Sequence, residues 1–357
     1  QVLGQEHPEV ATRLWALGWI LENEGAPAEA EGLYREALAL SVAIGDPLHP
    51  YVALSKNNLA GALSGRGAFP EAAALLADAL ELNRTVRGPD HPETATSAAN
   101  LADVLVELGR FDEARRLYEK ALEIRRGQLG ATHAFTLSTE VDLAILLNAV
   151  EEYEASGARF GRAIEQLRRT LGDGHEQVAA ALVEYGRLLR HEGRPDAARE
   201  AVLEGLAAFE ARASGSRAGV ANARYVLASI DRDTGAYEEA ERGFRDAVAG
   251  FRLAHPPGHP ALAPPLVSWA EALLEDGRPE QALPLLEEAL AIEEAALPPG
   301  HWRLGVTRSV LGSCHGALGR TSAAELLTSG RDLLLATRGE ASRATMEATE
   351  RLRRFRR

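Results

Sequence analysis

The chain has a single cysteine, Cys314, among 357 residues. That excludes an intramolecular disulfide and any metal cluster built from cysteine alone. Long apolar runs are missing as well. No stretch approaches the roughly 18 consecutive apolar residues needed to cross a bilayer, so no membrane-embedded role is expected. Excess positive charge is absent: the net charge of −13 argues against a general binder of nucleic acid or acidic membranes. Lysine is almost absent, with Lys56 and Lys120 the only two among 39 basic residues. With so much alanine and glycine, that skew matches a GC-rich bacterial coding sequence. The 46% hydrophobic and 25% charged composition describes an ordered, soluble chain. A reducing cytoplasm fits the cysteine usage.

What the sequence has is a ruler. His7, His49, His91, His133, His175, His259 and His301 are spaced by 42 residues, with one double step whose skipped slot is Arg217. Gly25, Gly67, Gly109, Gly193, Gly235, Gly277 and Gly319 run in phase, with Glu151 in the missing slot. Two residue types locked to one period mean a tandem repeat. Length alone suggests about two domains, but a repeat array grows by adding units to one continuous core.

The stretch after His91 predicts the unit. Pro92 suits a first helical turn and Glu93 the positive end of its dipole. Leu101, Ala102, Leu105 and Leu108 recur at helical spacing, and Gly109 ends that helix. A second helix starts near Phe111 with Ala114, Leu117, Tyr118, Ala121, Leu122 and Ile124 on its apolar stripe, and Gly130 ends it. Each unit is a helical hairpin. Periods of about 40–47 residues also occur in HEAT, armadillo and WD repeats. Small residues in the slots of Ala102, Ala114 and Ala121 decide against those, since they let paired helices approach closely while large ones such as Leu101 fill the gaps. The slots read Gly18, Ala60, Ala102, Ala144, Gly186, Ala228, Ala270, Gly312, then Ala30 to Ala324, then Ala37 to Ala289 ending in Arg331.

That pattern resembles the tetratricopeptide repeat, and the 42-residue spacing with a Gly-Pro-Asp-His-Pro linker at 88–92 resembles its kinesin-light-chain type. The resemblance implies an all-α fold: an α-solenoid, a superhelical array of about eight helix-turn-helix units and a C-terminal capping helix. Residues 1–7 are then an entering linker. The units are 8–49, 50–91, 92–133, 134–175, 176–217, 218–259, 260–301 and 302–343, and 344–357 form the capping helix and basic tail. Three units depart from the pattern. Glu151 and Ser156 in the fourth suggest an altered turn, although drift explains them as simply. Asp231 in the sixth replaces the leucine of the Leu105 slot, and Thr328 and Arg331 in the eighth occupy apolar slots.

No catalytic constellation is present. His175-Glu176 opens like a zinc-protease helix, but the position where the second histidine belongs is Ala179. There is no nucleophile elbow, phosphate loop or dinucleotide fingerprint. Equivalent histidines in neighbouring units are separated by at least a helix spacing of roughly 8–10 Å, too far to share a zinc ion. No metal, no cofactor and no enzymatic activity are expected, and the histidines read as linker residues that hydrogen-bond or pack locally.

The expected function is protein–protein interaction. In the resembling family the first helix of each unit lines a concave groove, and Asn-Asn-Leu-Ala segments hold a bound peptide's backbone. Here Asn57-Asn58-Leu59-Ala60 and Ala99-Asn100-Leu101-Ala102 match, so that role passes to Asn58 and Asn100 and more loosely to Asn57. An asparagine amide offers donors and an acceptor together, which an extended backbone needs. Other slots on this face hold Trp15, Trp19, Asp103, Glu107, Asp142, Glu184, Arg187, Tyr225 and, further along, Glu271 and Glu275. Carboxylates dominate, so the expected ligand is a basic peptide or partner surface with an apolar anchor at the tryptophan end. Trp15 and Trp19 read equally as residues once covered by a preceding unit. A second reading is self-association through exposed array ends. A third makes the chain the C-terminal regulatory or sensor region of a larger signalling enzyme, a Ser/Thr kinase, nucleotide-binding switch or caspase-like protease. That reading rests on the start at Gln1 instead of methionine and on the Arg-rich end.

Overall fold

The computed structural model describes residues 8–23, 27–43, 50–212 and 216–357. The expected linker 1–7 and the end of the first unit, with His7, Gly25 and His49, lie outside them. Every regular element among the described residues is helical. The chain is an all-α helical-repeat solenoid.

First and second helices alternate. The early hairpins are α1 (Pro8–Asn23) with α2 (Pro27–Ala43), α3 (Pro50–Gly65) with α4 (Phe69–Arg87), and α5 (Pro92–Glu107) with α6 (Phe111–Leu129). Next come α7 (Ala134–Ala149) and α8 (Tyr153–Leu171), α9 (Glu176–His191) and α10 (Pro195–Glu210), and α11 (Arg217–Asp233) and α12 (Tyr237–Ala254). A short 3-10 turn at Pro260–Leu262 leads into α13 (Ala263–Glu275), which pairs with α14 (Pro279–Ala296). The last elements are α15 (Trp302–Ala317), α16 (Ala323–Arg338) and α17 (Arg343–Phe355). The chain forms two compact units, residues 1–146 and 147–357, that divide within α7.

The three small slots are where the helices touch. Ala60, Ala72, Ala79, Ala102, Ala114, Ala121, Ala270, Ala282 and Ala289 have no exposed surface. Where helices come closer still, the slot is glycine. A β-carbon on Gly205 would lie 2.7 Å from the Ala179 carbonyl oxygen.

The histidine ruler is a capping device. The backbone N–H of Glu93 donates to His91 Nδ1 (3.1 Å), Phe135 to His133 (3.2 Å), Gln177 to His175 (3.2 Å), Ala261 to His259 (3.1 Å) and Arg303 to His301 (3.2 Å). Each ring satisfies an N–H that the first turn of a helix leaves without an intrahelical partner. To accept at Nδ1, a neutral ring carries its proton on Nε2. The missing sixth rung is explained too. Ser216, one residue before Arg217, accepts from Gly219 N–H (3.0 Å) and starts α11 a residue early. His175→Ala is therefore expected to cost about 1 kcal/mol, with His175→Asn close to wild type. Chemical denaturation reads both, and equal stability of the alanine and asparagine variants would refute the capping role.

The fourth unit's turn keeps its form in spite of Glu151. Glu151 adopts φ 66°, against 74° for Gly109 in the same slot of the third unit. The closing bonds match as well: Glu152 N–H to Leu147 O and Arg110 N–H to Leu105 O are both 2.8 Å. A side chain in this left-handed region costs roughly 1–2 kcal/mol, so Glu151 is held there by what it contacts. Asp231 is likewise paired, accepting from Arg199 (2.6 Å). The eighth unit differs from expectation. In α16, Ala323, Leu327 and Gly330 are buried and Ala324 is exposed, so the helix packs one residue earlier than the ruler places it. The helix starts at Ala323 because the turn runs on through Thr321 and Ser322. Thr328 and Arg331 consequently do not occupy closed apolar slots.

Candidate functional site

In residues 1–146, α3 and α5 present their polar residues to a common cavity of about 330 Å³, lined by Asn57, Gly61, Ser64, Phe69, Leu76, Asn100, Asp103, Val104 and Glu107. The helical repeat explains the grouping: Asn100, Asp103 and Glu107 are three and four residues apart on α5, so they share one face. Asn57 Nδ2 donates to Ala53 O and Ser97 Oγ, both at 2.9 Å. Asn100 Nδ2 donates to Asn57 Oδ1 (3.3 Å). Both amides line the cavity, and Asn57, already bonded to Ala53 and Ser97, is a bracket for Asn100. Asn58 does not line the cavity, and its Nδ2 is enclosed without a hydrogen-bond partner.

Asp103 and Glu107 form the other wall, and the charge of Asp142 interacts with that of Asp103. Tyr118 donates its hydroxyl to Asp103 Oδ1 (2.5 Å), and Ser138 donates to Asp142 Oδ2 (3.5 Å). Asp103 is open to water but crowded by protein on its other sides. That desolvation pushes its carboxyl up to about 6, opposed by Tyr118 and Arg125 and assisted by Glu107. Desolvation, then the negative charge of Asp103, raises Asp142 well above the ordinary carboxylate range. Tyr118 is driven upward by burial and by Asp103, so its hydroxyl keeps its proton and remains a donor. The charge of Arg125 acts on both aspartates, and its guanidinium is already engaged by Phe135 O (3.1 Å) and Thr139 Oγ1.

Trp15 and Trp19 lie on α1 and do not line this cavity. Trp15 is half-buried and Trp19 is 56% exposed, beside exposed Leu17 and Ile20.

Residues 147–357 hold the remaining candidates, and there the polar groups are consumed by one another. Arg187 donates to Glu184 Oε2 (3.1 Å) and Asn222 Oδ1 (2.6 Å), and Asn222 donates back to Glu184 Oε1 (2.8 Å). Arg187 also stacks 5.3 Å from the centre of the Tyr225 ring, whose hydroxyl is 3.2 Å from Ser268 Oγ. Arg232 bonds Glu271 and Asp233, and Arg351 bonds Glu271 (2.6 Å). Burial alone would raise the Glu271 carboxyl, but Arg232 and Arg351 hold it below the usual glutamate value. Arg190 donates to His191 Nε2 (3.2 Å), so His191 Nδ1–H donates to Asn148 Oδ1 (3.0 Å). Burial first, then Arg190 and Arg187, lowers the imidazole to about 3, which keeps it neutral.

Sequence reasoning missed a second buried ladder. Asn83 Nδ2 donates to Ser97 Oγ (3.0 Å), Arg125 to Thr139, and Thr307 to Glu293 Oε2 (2.7 Å), while Ser41 and Ser55 hydroxyls are 3.2 Å apart. The positions 41, 83, 125 and 293 share the 42-residue phase, as do 55, 97, 139 and 307. Where the first slot is apolar, at Leu167, Phe209, Phe251 and Leu335, the second is Ala181, Ala223, Pro265 and Thr349. A polar side chain in the first slot thus occurs only opposite a hydroxyl. That pairing was the available signal.

Among the described residues, no group of three His, Cys, Asp or Glu side chains is placed to hold a metal ion, and no helix is long and apolar enough to cross a membrane.

A profile described as Tetratricopeptide repeat matches residues 51–127, 135–211 and 219–295, and a second one of the same description matches residues 14–48. No curated protein matches the chain. Among solved structures, a Rap protein complexed with competence and sporulation factor is similar over 98% of both chains, at 15% identity and TM-score 0.63. Nearly identical TPR-like repeats of a Podosopora anserina kinesin light chain align with 57% of this chain and 97% of theirs, at 23% identity and TM-score 0.49. BtubC (BKLC) from P. vanneervenii aligns with 63% of this chain and 88% of its own, at 20% identity and TM-score 0.48.

Proposed function

The chain belongs to the tetratricopeptide repeat family, and from that premise we propose that it is a non-catalytic interaction scaffold whose cavity in residues 1–146 takes a basic peptide segment. The observation that carries this reading is that Asp103 and Glu107 share the cavity with the Asn100 amide, with Asp142 close enough to Asp103 for their charges to interact. Arg125, whose charge acts on both aspartates, is tied to the backbone and to Thr139. Two aspartates with raised carboxyls lack a mobile counter-charge, and a ligand's Lys or Arg side chain supplies one. Asn100, held by Asn57, offers its remaining amide capacity to the ligand backbone. The Rap protein with a similar fold is complexed with a factor, which supports a binding role for such an array.

Titration of Lys- and Arg-containing peptides against the full chain tests the assignment. Asp103→Asn and Asn100→Ala should each weaken binding about tenfold, the loss of one charge-assisted or bracketed contact. Undiminished affinity in both variants would remove the cavity from consideration. Misfolding is not the expected cause of a loss. The Asp103 carboxyl is raised in the folded chain, so its stabilising contribution is complete below the unfolded value of 3.8 and lost as pH rises through about 6. At pH 7 Asp103→Asn should therefore stabilise the chain, by about 1 kcal/mol once the open side of the carboxylate is allowed for. Thermal unfolding at pH 7 and pH 4 measures this, with the gain confined to the higher pH.

A further inference from the structure

Residues 147–357 close on themselves. The two oxygens of Glu151 accept from the backbone N–H of Arg343, 192 residues away, at 3.0 and 3.1 Å. Arg343 is the first residue of α17, so a carboxylate sits at the positive end of that helix. Beside it, Arg338 donates to Ala149 O, lies 3.9 Å from Glu151 Oε1, and stacks 5.2 Å from the centre of the Trp302 ring. Near the far end of α17, Arg351 bonds Glu271 (2.6 Å).

Between these two attachments α17 packs on α15 and α16 through one narrow stripe. Its buried residues are Thr345, Ala348 and Leu352, whereas Met346 and Phe355 are exposed. A cavity of about 500 Å³ remains open beside it, with Glu271, Glu275, Ser313 and Gly316 on one wall and Arg351 and Phe355 on the other. Release of α17 strands no charge. Glu271 keeps Arg232, and Ser342 Oγ still accepts from Thr345 N–H to cap the freed helix. The usual penalty for breaking a buried ion pair, an orphaned partner, is thus avoided.

We propose that this face, centred on Glu271 and Glu275, is a docking site for an arginine-bearing amphipathic helix, and that α17 is a resident strap which such a partner displaces. Glu151 sets the ease of exchange. Its left-handed conformation is tolerated because the carboxylate reaches α17, and a glycine there would keep the turn while losing the latch. The site is separate from the cavity in residues 1–146.

The test uses the full chain and a labelled peptide spanning residues 344–357, which lacks the Arg343 N–H and so makes no use of the Glu151 latch. Hydrogen exchange over 343–355 should accelerate about tenfold in Glu151→Gly, and that variant should bind the peptide about tenfold more tightly than wild type, one latch contact being worth a factor of that order. A peptide carrying Arg351→Ala should lose binding, a ligand-side change that leaves the protein's folding untouched. Both chains are titrated in an Asp103→Asn background, which weakens the cavity in residues 1–146 and leaves the responses to Glu151→Gly and to Arg351→Ala to this site. Unaltered exchange in Glu151→Gly, or equal binding of the two peptides, would overturn the proposal.

Discussion

Gly330→Ala should destabilise residues 147–357 by about 3 kcal/mol, the upper range for forcing an atom into a packed contact. A β-carbon at Gly330 would lie 2.7 Å from both the Gly305 carbonyl oxygen and the Ser309 amide nitrogen. Both are backbone atoms of α15, so no side-chain rotation makes room and the two helices must separate. Their separation would open the contacts of buried Leu327 and Leu334. The neighbouring Arg331→Ala serves as control. Arg331 reaches only Asp332, at the surface, and its removal should fall within about 0.5 kcal/mol. Urea unfolding of the two variants decides between the packing seen here and the one the ruler implies. A costly Arg331→Ala beside a harmless Gly330→Ala would reverse the register of α16.

That one-residue slip shows where sequence reading stops. The fold was legible because the 42-residue ruler ties local signals together. A capping histidine, a turn glycine and three small slots each have a local physical cause, and each recurs in phase. A constant period also assumes constant turns. The turn before α16 takes up Thr321 and Ser322, and a ruler cannot see that the helix then packs through Gly330 instead of Arg331. The same limit applies to Ser216, which replaces a histidine cap one residue early and so looks like a gap.

The site was legible in part for a related reason. Helical spacing places Asn100, Asp103 and Glu107 on one face, and they do line one cavity. Spacing gives no account of pairing. It cannot tell that Glu184, Arg187 and Asn222 satisfy each other, or that Asn57 is turned to hold Asn100. Nor can it connect Glu151 with Arg343, because contacts across 192 residues depend on how successive units rotate. The departure at Glu151 was visible as an empty place on the glycine ruler. Its reason lay in a partner that only three dimensions bring near.

Glu293→Gln should raise stability at pH 8 by about 3 kcal/mol and flatten its pH dependence. Glu293 occupies the buried polar ladder with 2% of its surface exposed. Burial lifts its carboxyl to about 7, although the Thr307 hydroxyl and the charges of Arg303 and Arg308 pull the other way. The shift is upward, so the folded chain binds this proton more tightly than the unfolded one. The associated stabilisation is complete below the unfolded value of 4.5 and disappears as pH rises through about 7. Above that, the wild type must bury a charge whose single hydrogen bond from Thr307 offsets only part of the lost hydration. Glutamine keeps an oxygen for Thr307 and never ionises, and about two and a half pKa units at 1.36 kcal/mol each set the size of the gain. Thermal unfolding from pH 4 to pH 8 reads the result: the two proteins should converge at pH 4 and separate steadily up to about pH 7. A Thr307→Val companion distinguishes the causes, since it removes the hydroxyl and should steepen the wild-type decline. Parallel curves for wild type and Glu293→Gln would mean that this rung carries its charge without cost, and the match between polar side chains and hydroxyls along the ladder would then need a different explanation.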